Sequence, residues 1–216
     1  MALTPDQIFI RRRRMLGVLA AWAAAPRAWA VKRKVVTILG DSITAGFGLP
    51  ERQALPAQLQ AALARLGAPA AVRGAGVSGD TSAEGLARLD FSVQGDTDVC
   101  VVALGANDLL QGFDPGELRD NLEAIVKRLK SRRIGVLVAG LSVPAVVGAS
   151  YAHDVEEVFP AVARAQHVTL YPDLLAGVAG NPALRQGDGL HPNAAGVKVI
   201  AARLAPVVAH ALRSRA

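Results

Sequence analysis

A single cysteine, Cys100, among 216 residues excludes an intramolecular disulfide and leaves a cysteine-based zinc site without ligands. It sits inside the apolar run Val99 to Leu104, the setting of a core residue rather than of a metal ligand or nucleophile. Aromatic residues are also scarce, at 4% of the chain, and both tryptophans, Trp22 and Trp29, fall within the first thirty residues. Few platforms remain for stacking sugars or bases. No repeat period or low-complexity tract is present, and about half of the residues are hydrophobic, which is the composition of one globular domain with a full core.

Positive charge, by contrast, is in excess. A net charge of +6 and a calculated pI near 10.1 taken alone suggest a nucleic-acid or membrane-surface partner. The first thirty residues account for most of it. Arg11 to Arg14 form a basic cluster, Met15 to Ala25 an apolar run, and Ala28-Trp29-Ala30 a small-x-small cleavage site, which together read as an export signal. The run is too short to span a bilayer as a mature helix, which needs roughly 17 to 25 residues. Arg12-Arg13-Arg14-Met15-Leu16 further resembles a twin-arginine signal, and Lys32, Arg33 and Lys34 beyond the cut disfavour the ordinary secretory route. Cleavage after Ala30 removes five arginines and Asp6, a net of +4, so +6 falls to +2 on the remaining 186 residues. The expectation is a periplasmic or secreted domain over residues 31–216, with no nucleic-acid partner and no stable membrane anchor.

Within that domain, short apolar runs alternate with longer amphipathic ones. Strands are expected at Val35 to Leu39, Ala70 to Arg73, Asp98 to Leu104, Ile134 to Leu141 and His167 to Tyr171. Near-continuous apolar character in the first, third and fourth predicts burial on both faces, as in a parallel sheet. Helices are expected at 55–66, 81–91, 116–131, 151–165 and 193–213. In the third of these, Leu118, Leu122, Ile125, Val126 and Leu129 recur at helical spacing. Strand then helix, five times over, predicts a doubly wound α/β sandwich whose chemistry gathers beyond the carboxyl ends of the strands.

Polar residues with chemical potential do stand where those strands stop. Gly40-Asp41-Ser42 ends the first; Ser42 is a candidate nucleophile, and Asp-Ser serves equally well as a helix cap. Gly74 to Thr81 follows the second, with Gly79 able to bring a backbone N–H to an oxyanion and Ser78 a rival nucleophile. The third ends at Gly105-Ala106-Asn107-Asp108. Asn107 carries an uncharged N–H donor suited to an oxyanion, and is also a common turn residue. Asp188-Gly189-Leu190-His191 precedes the last helix, and Asp188 can fold back through the glycine to one ring nitrogen of His191 while the other faces a serine. No further His or Cys stands at a spacing that would make this pair a metal site. His167 and His210 lack a neighbouring acid in such a turn, and His153-Asp154 falls in a charged helical stretch with Glu156 and Glu157.

Together, Gly40-Asp41-Ser42, Gly79, Gly105-x-Asn107-Asp108 and Asp188-x-x-His191 resemble the four marker blocks of the SGNH hydrolases, the GDSL esterases and lipases, over nearly all of residues 35–213. Ser78 to Ser82, Gly85 to Leu89, Gly177 to Gly180 and His191-Pro192-Asn193 are most similar to the bacterial periplasmic arylesterases, acyl-CoA thioesterase I and lysophospholipases. The resemblance implies a flavodoxin-like three-layer α/β/α sandwich on a mostly parallel five-stranded sheet, no metal or organic cofactor, and hydrolysis of a small acyl ester or thioester, with lipids among the candidate substrates. It assigns Ser42, Asp188 and His191 as the triad and Ser42, Gly79 and Asn107 as the oxyanion hole. Gly74 replaces the Asn usual in that subgroup and Leu109 a frequent Gly. Leu109, Leu110 and Phe113 are expected on a loop bordering the acyl pocket. A carbohydrate O-acetylesterase is the alternative enzyme, and a non-catalytic exported lipid- or glycan-binding protein the alternative of another class.

Overall fold

The β-branched side chains of Val35, Val36, Thr37 and Ile38 favour extended backbone because branching at Cβ restricts χ1 in a helix. They build β1 (Lys34–Gly40) in the computed structural model, which describes residues 33–143 and 148–214. The expected export signal, residues 1–30, lies outside the described residues. β2 (Ala70–Gly76), β3 (Val99–Ala103), β4 (Gly135–Ala139) and β5 (Thr169–Tyr171) complete one sheet. All pairs are parallel and the order is β2-β1-β3-β4-β5, the doubly wound arrangement. Its switch point lies between β1 and β3, so the crevice opens beyond their carboxyl ends.

Side-chain alternation sends each strand's residues to two separate cores. Val36, Ile38, Val99, Val101 and Leu137 meet Leu55, Leu59 and Leu63 of α2 (Leu55–Arg65) and the apolar stripe of α8 (Ala194–Arg213). Leu39, Cys100, Val102, Val136 and Val138 face α3 (Ser82–Ala87), α4 (Leu89–Ser92), α6 (Pro115–Ser131) and α7 (Ala149–Gln166). The full set Leu118, Leu122, Ile125, Val126 and Leu129 of α6 is buried, as its spacing predicts. By length and hydropathy α8 could cross a bilayer, but Val197, Ile200, Leu204, Val208 and Leu212 are buried in the sandwich. Burial of Cys100 pushes its thiol up to about 12, so it stays an unreactive thiol.

Several boundaries differ from the sequence expectation for local reasons. β2 runs on through Gly74 to Gly76 because β1 supplies a hydrogen-bonding partner as far as Gly40↔Gly76, which overrides the low strand propensity of glycine. β5 starts late because His167, the C-cap of α7, sits at φ 52°, outside strand geometry. The helix expected over 81–91 is broken at Arg88 (φ −98°, ψ 6°) into α3 and α4. The segment after Gly105, expected as a loop, is helix α5 (Ala106–Gln111).

Candidate active site

β1 delivers its last residues straight into a short helix, α1 (Ser42–Ala45). A side chain at Gly40 would put its Cβ 2.3 Å from Thr44 Oγ1 and 2.9 Å from the Ala103 carbonyl, so only glycine allows the turn this close to β3. Asp41 caps the helix, its Oδ1 accepting from Ile43 N at 3.0 Å, while Ser42 occupies the first helical position. The capping and nucleophile readings of Asp-Ser are therefore compatible, one residue taking each part.

Near the amino end of α8, Asn193 caps the helix by accepting from Ala195 N and Gly196 N and anchors the preceding loop through Nδ2 to Ala183 O and Arg185 O. That loop folds Asp188 back on His191. Asp188 Oδ1 accepts from Leu190 N at 2.9 Å and His191 N at 3.0 Å, and Oδ2 lies 2.7 Å from His191 Nδ1. The Leu190 N–H first, and then the imidazole, hold the Asp188 carboxyl down at about 2. An ionised carboxylate only accepts, so Nδ1 carries the ring proton and Nε2 presents its lone pair. Ser42 Oγ lies 2.9 Å from that Nε2 across 149 residues of chain and donates to it.

Two contacts that periodicity and spacing do not reveal hold these loops together. The Phe47 ring lies against the His191 ring, with centroids 4.5 Å apart and planes inclined by 31°. Gln186 Nε2 donates both to Phe47 O at 2.7 Å and to Pro192 O at 3.0 Å, joining the serine's loop to the histidine's. The only sequence signal for Gln186 is its place two residues before Asp188.

Gly79 and Asn107 converge on the same opening. Asn107 Nδ2 donates one N–H to Asp80 O at 2.8 Å, and among the described residues its second N–H has no acceptor. Ser42, Ser78, Gly79, Asn107 and His191 all line one cavity of about 350 Å³. Its apolar wall includes Ile43, Phe47, Leu110, Leu175 and Leu190. Asp188 lies behind His191, outside the cavity. Ser78 shares the cavity, but among the described residues no imidazole or carboxylate hydrogen-bonds its hydroxyl.

Of the three residues expected to border the acyl pocket, Leu110 lines this cavity. Because α5 is a helix and not a loop, Asn107 and Leu110 share a face while Leu109 turns away to pack against the core beneath α6 and α7. Phe113 follows Gly112, whose left-handed backbone ends the helix, and its carbonyl accepts from Tyr151 Oη at 2.8 Å. Leu109 and Phe113 are not among the residues that line this cavity.

Burial pushes the Asp41 carboxyl up to about 6, against the lowering effect of the Ile43 N–H. An acid held above its unfolded value of 3.8 costs stability as pH rises from about 4 to 6, a penalty of roughly 3 kcal/mol above pH 6. Asn at this position keeps the acceptor for Ile43 N without the charge. Asp41→Asn is therefore expected to gain in Tm over the native protein between pH 4 and pH 7, followed by thermal denaturation. A difference that stays flat with pH contradicts this account of Asp41.

Similarity to known proteins gives the family. The model of the GDSL-like Lipase/Acylhydrolase family matches residues 38–199. The chain belongs to that family. Esterase TesA of Pseudomonas aeruginosa is 38% identical over 160 residues, spanning 74% of this chain and 80% of the relative. The arylesterase of Vibrio mimicus is 35% identical over 72% of this chain and 78% of its own length. Thioesterase 1/protease 1/lysophospholipase L1 of Escherichia coli (strain K12) is 34% identical over 72% and 74%. Among solved structures, that of TesA superposes with a TM-score of 0.77 at 34% identity, covering 81% of this chain and 98% of that one. AlinE4, an SGNH-hydrolase family esterase, gives 0.70 at 38% identity over 83% and 97%. As a GDSL-like family member, the chain has the parallel α/β fold of these neighbours.

Proposed function

We propose that the protein is a serine hydrolase of acyl esters or thioesters that works through an acyl-enzyme on Ser42. The observation that carries this reading is the continuous relay from Ser42 Oγ to His191 Nε2 (2.9 Å) and from Nδ1 to Asp188 Oδ2 (2.7 Å), opening onto the cavity that Gly79 and Asn107 share. His191 takes the hydroxyl proton as Ser42 Oγ attacks the acyl carbon, and Asp188 stabilises the imidazolium and fixes its tautomer. The backbone N–H groups of Ser42 and Gly79 and the second N–H of Asn107 receive the oxyanion. The imidazolium then protonates the leaving oxygen or sulfur. Water repeats the sequence to release the acid and restore Ser42.

Hydrolysis of p-nitrophenyl acetate with a stoichiometric burst of p-nitrophenolate tests the reading directly. Absence of turnover on a panel of esters and thioesters that varies both acyl length and leaving group contradicts it. The apolar wall formed by Ile43, Leu110 and Leu175 favours an acyl chain over a sugar as the bound group. Removing one oxyanion donor by Asn107→Ala is expected to lower kcat by about 10² to 10³. A folded variant that turns over at the native rate removes Asn107 from the oxyanion hole.

Export belongs to the same proposal. The basic cluster, apolar run and Ala28-Trp29-Ala30 support delivery to the periplasm or medium, with Val31 as the first residue of the mature chain. Amino-terminal sequencing of the exported protein checks this, and an uncleaved chain retained in the cytoplasm contradicts it.

A further inference from the structure

We propose that Arg88 is a positioning residue for the oxyanion hole, holding the Gly79 loop in register with Ser42 and Asn107. Val77, Ser78 and Gly79 are exposed, and Gly79 has no atom within 4 Å of where a Cβ would stand, so packing does not hold this part of the loop in place. The Gly79 N–H nevertheless has to stay within a few tenths of an ångström of the developing charge, since a misplacement of about 1 Å costs about 10²-fold in rate. Asp80, the next residue, is buried and supplies the anchor. Its carbonyl accepts from Asn107 Nδ2, and its carboxylate accepts from Arg88 Nε.

The same guanidinium reaches three other segments. Arg88 Nη1 donates to Ala75 O in β2 and to Ser92 Oγ in α4, both at 3.0 Å, and Nη2 donates to Gly40 O at 2.9 Å. Gly40 is the last residue of β1, two before the nucleophile, and its carbonyl also accepts from Val77 N at 3.1 Å. One side chain, about one-fifth exposed, therefore ties the end of the nucleophile's strand to the loop that carries the Gly79 donor. The break between α3 and α4 falls at this residue. A planar fork of fixed donors can meet these four acceptors together, whereas the single ammonium of lysine cannot.

The proposal rests on the ester-hydrolase reading and is tested on Arg88→Lys, which keeps the charge and loses the fork. On p-nitrophenyl acetate, kcat is expected to fall roughly 10- to 100-fold with KM changed less than about threefold, because the loss falls on the transition state. Combined with Asn107→Ala, the total loss is expected to fall at least about fivefold short of the product of the two single losses, since both act on one oxyanion. A residue that only supported folding would lower Tm and the active fraction, leaving kcat per burst-titrated site unchanged. If Arg88→Lys is not recovered folded, Asp80→Asn, which breaks the same ion pair, is judged by the same criteria. Native kcat per site, or losses that simply multiply, overturns the proposal while native turnover leaves the hydrolase reading standing. A native protein without turnover overturns both.

Discussion

Ser42→Ala is expected to lower kcat by a factor on the order of 10⁶, the largest effect of any single substitution here. The size follows from what remains. His191 Nε2 keeps its lone pair and Gly79 and Asn107 keep their donors, but no group is left to form the acyl-enzyme. Any residual rate must come from water attacking directly on an ester held by the oxyanion donors, which leaves about 10³ to 10⁴ over the uncatalysed reaction. Burst kinetics should lose the fast phase entirely, while the fold survives because a half-buried hydroxyl on a helix's first turn contributes little packing. A burst of native amplitude in Ser42→Ala places the nucleophile elsewhere, with Ser78 the first candidate because it lines the same cavity.

Asp188→Asn should cost about 10⁴ in kcat, the loss expected when the histidine is held in the wrong tautomer. The local hydrogen bonds say why the amide cannot rotate to avoid this. Asp188 Oδ1 accepts from the N–H groups of both Leu190 and His191, so an Asn side chain has to keep its carbonyl oxygen there and turn its N–H₂ toward His191 Nδ1. Two donors would then face each other unless Nδ1 gives up its proton. The proton moves to Nε2, which can no longer accept from Ser42 Oγ. KM should change little, because Asp188 lies outside the cavity. Steady-state kinetics at pH 8, with circular dichroism to confirm the fold, measures this. Since the native carboxyl is held at about 2, loss of activity in mild acid is not the titration of Asp188.

Much of the sheet was legible because β1, β3 and β4 are buried on both faces and their sequences are correspondingly apolar, with Lys34 and Thr37 of β1 the exceptions. The doubly wound layering followed from the alternation of strands and helices, whereas the strand order β2-β1-β3-β4-β5 did not, because the same alternation fits more than one order. Asp188 and His191 were readable for a different reason: they are three residues apart, so their contact is local. The parts that escaped are nonlocal or conformational. Gln186 reaches Phe47 across 139 residues, and Arg88 reaches Gly40 across 48, distances at which no periodicity operates. Arg88 stands in a stretch that reads as an expected helix and a family resemblance, and nothing in the sequence says that its side chain turns back toward the strand ends. Leu109 and Leu110 are indistinguishable as a pair of leucines until the segment is known to be helical, when one faces the cavity and the other the core. Likewise, β2 could not be followed through Gly74 and Gly76 without knowing that β1 lies alongside.

The central claim is that Ser42 is the group that becomes acylated. Labelling the native protein with a fluorophosphonate and mapping the modified peptide tests it most directly, because only an activated serine forms the adduct. One adduct per chain is expected, on the peptide that contains Ser42, blocked by Ser42→Ala and strongly slowed in Asp188→Asn. An adduct on Ser78, or undiminished ester turnover by a fully labelled protein that carries no modification at Ser42, contradicts the account.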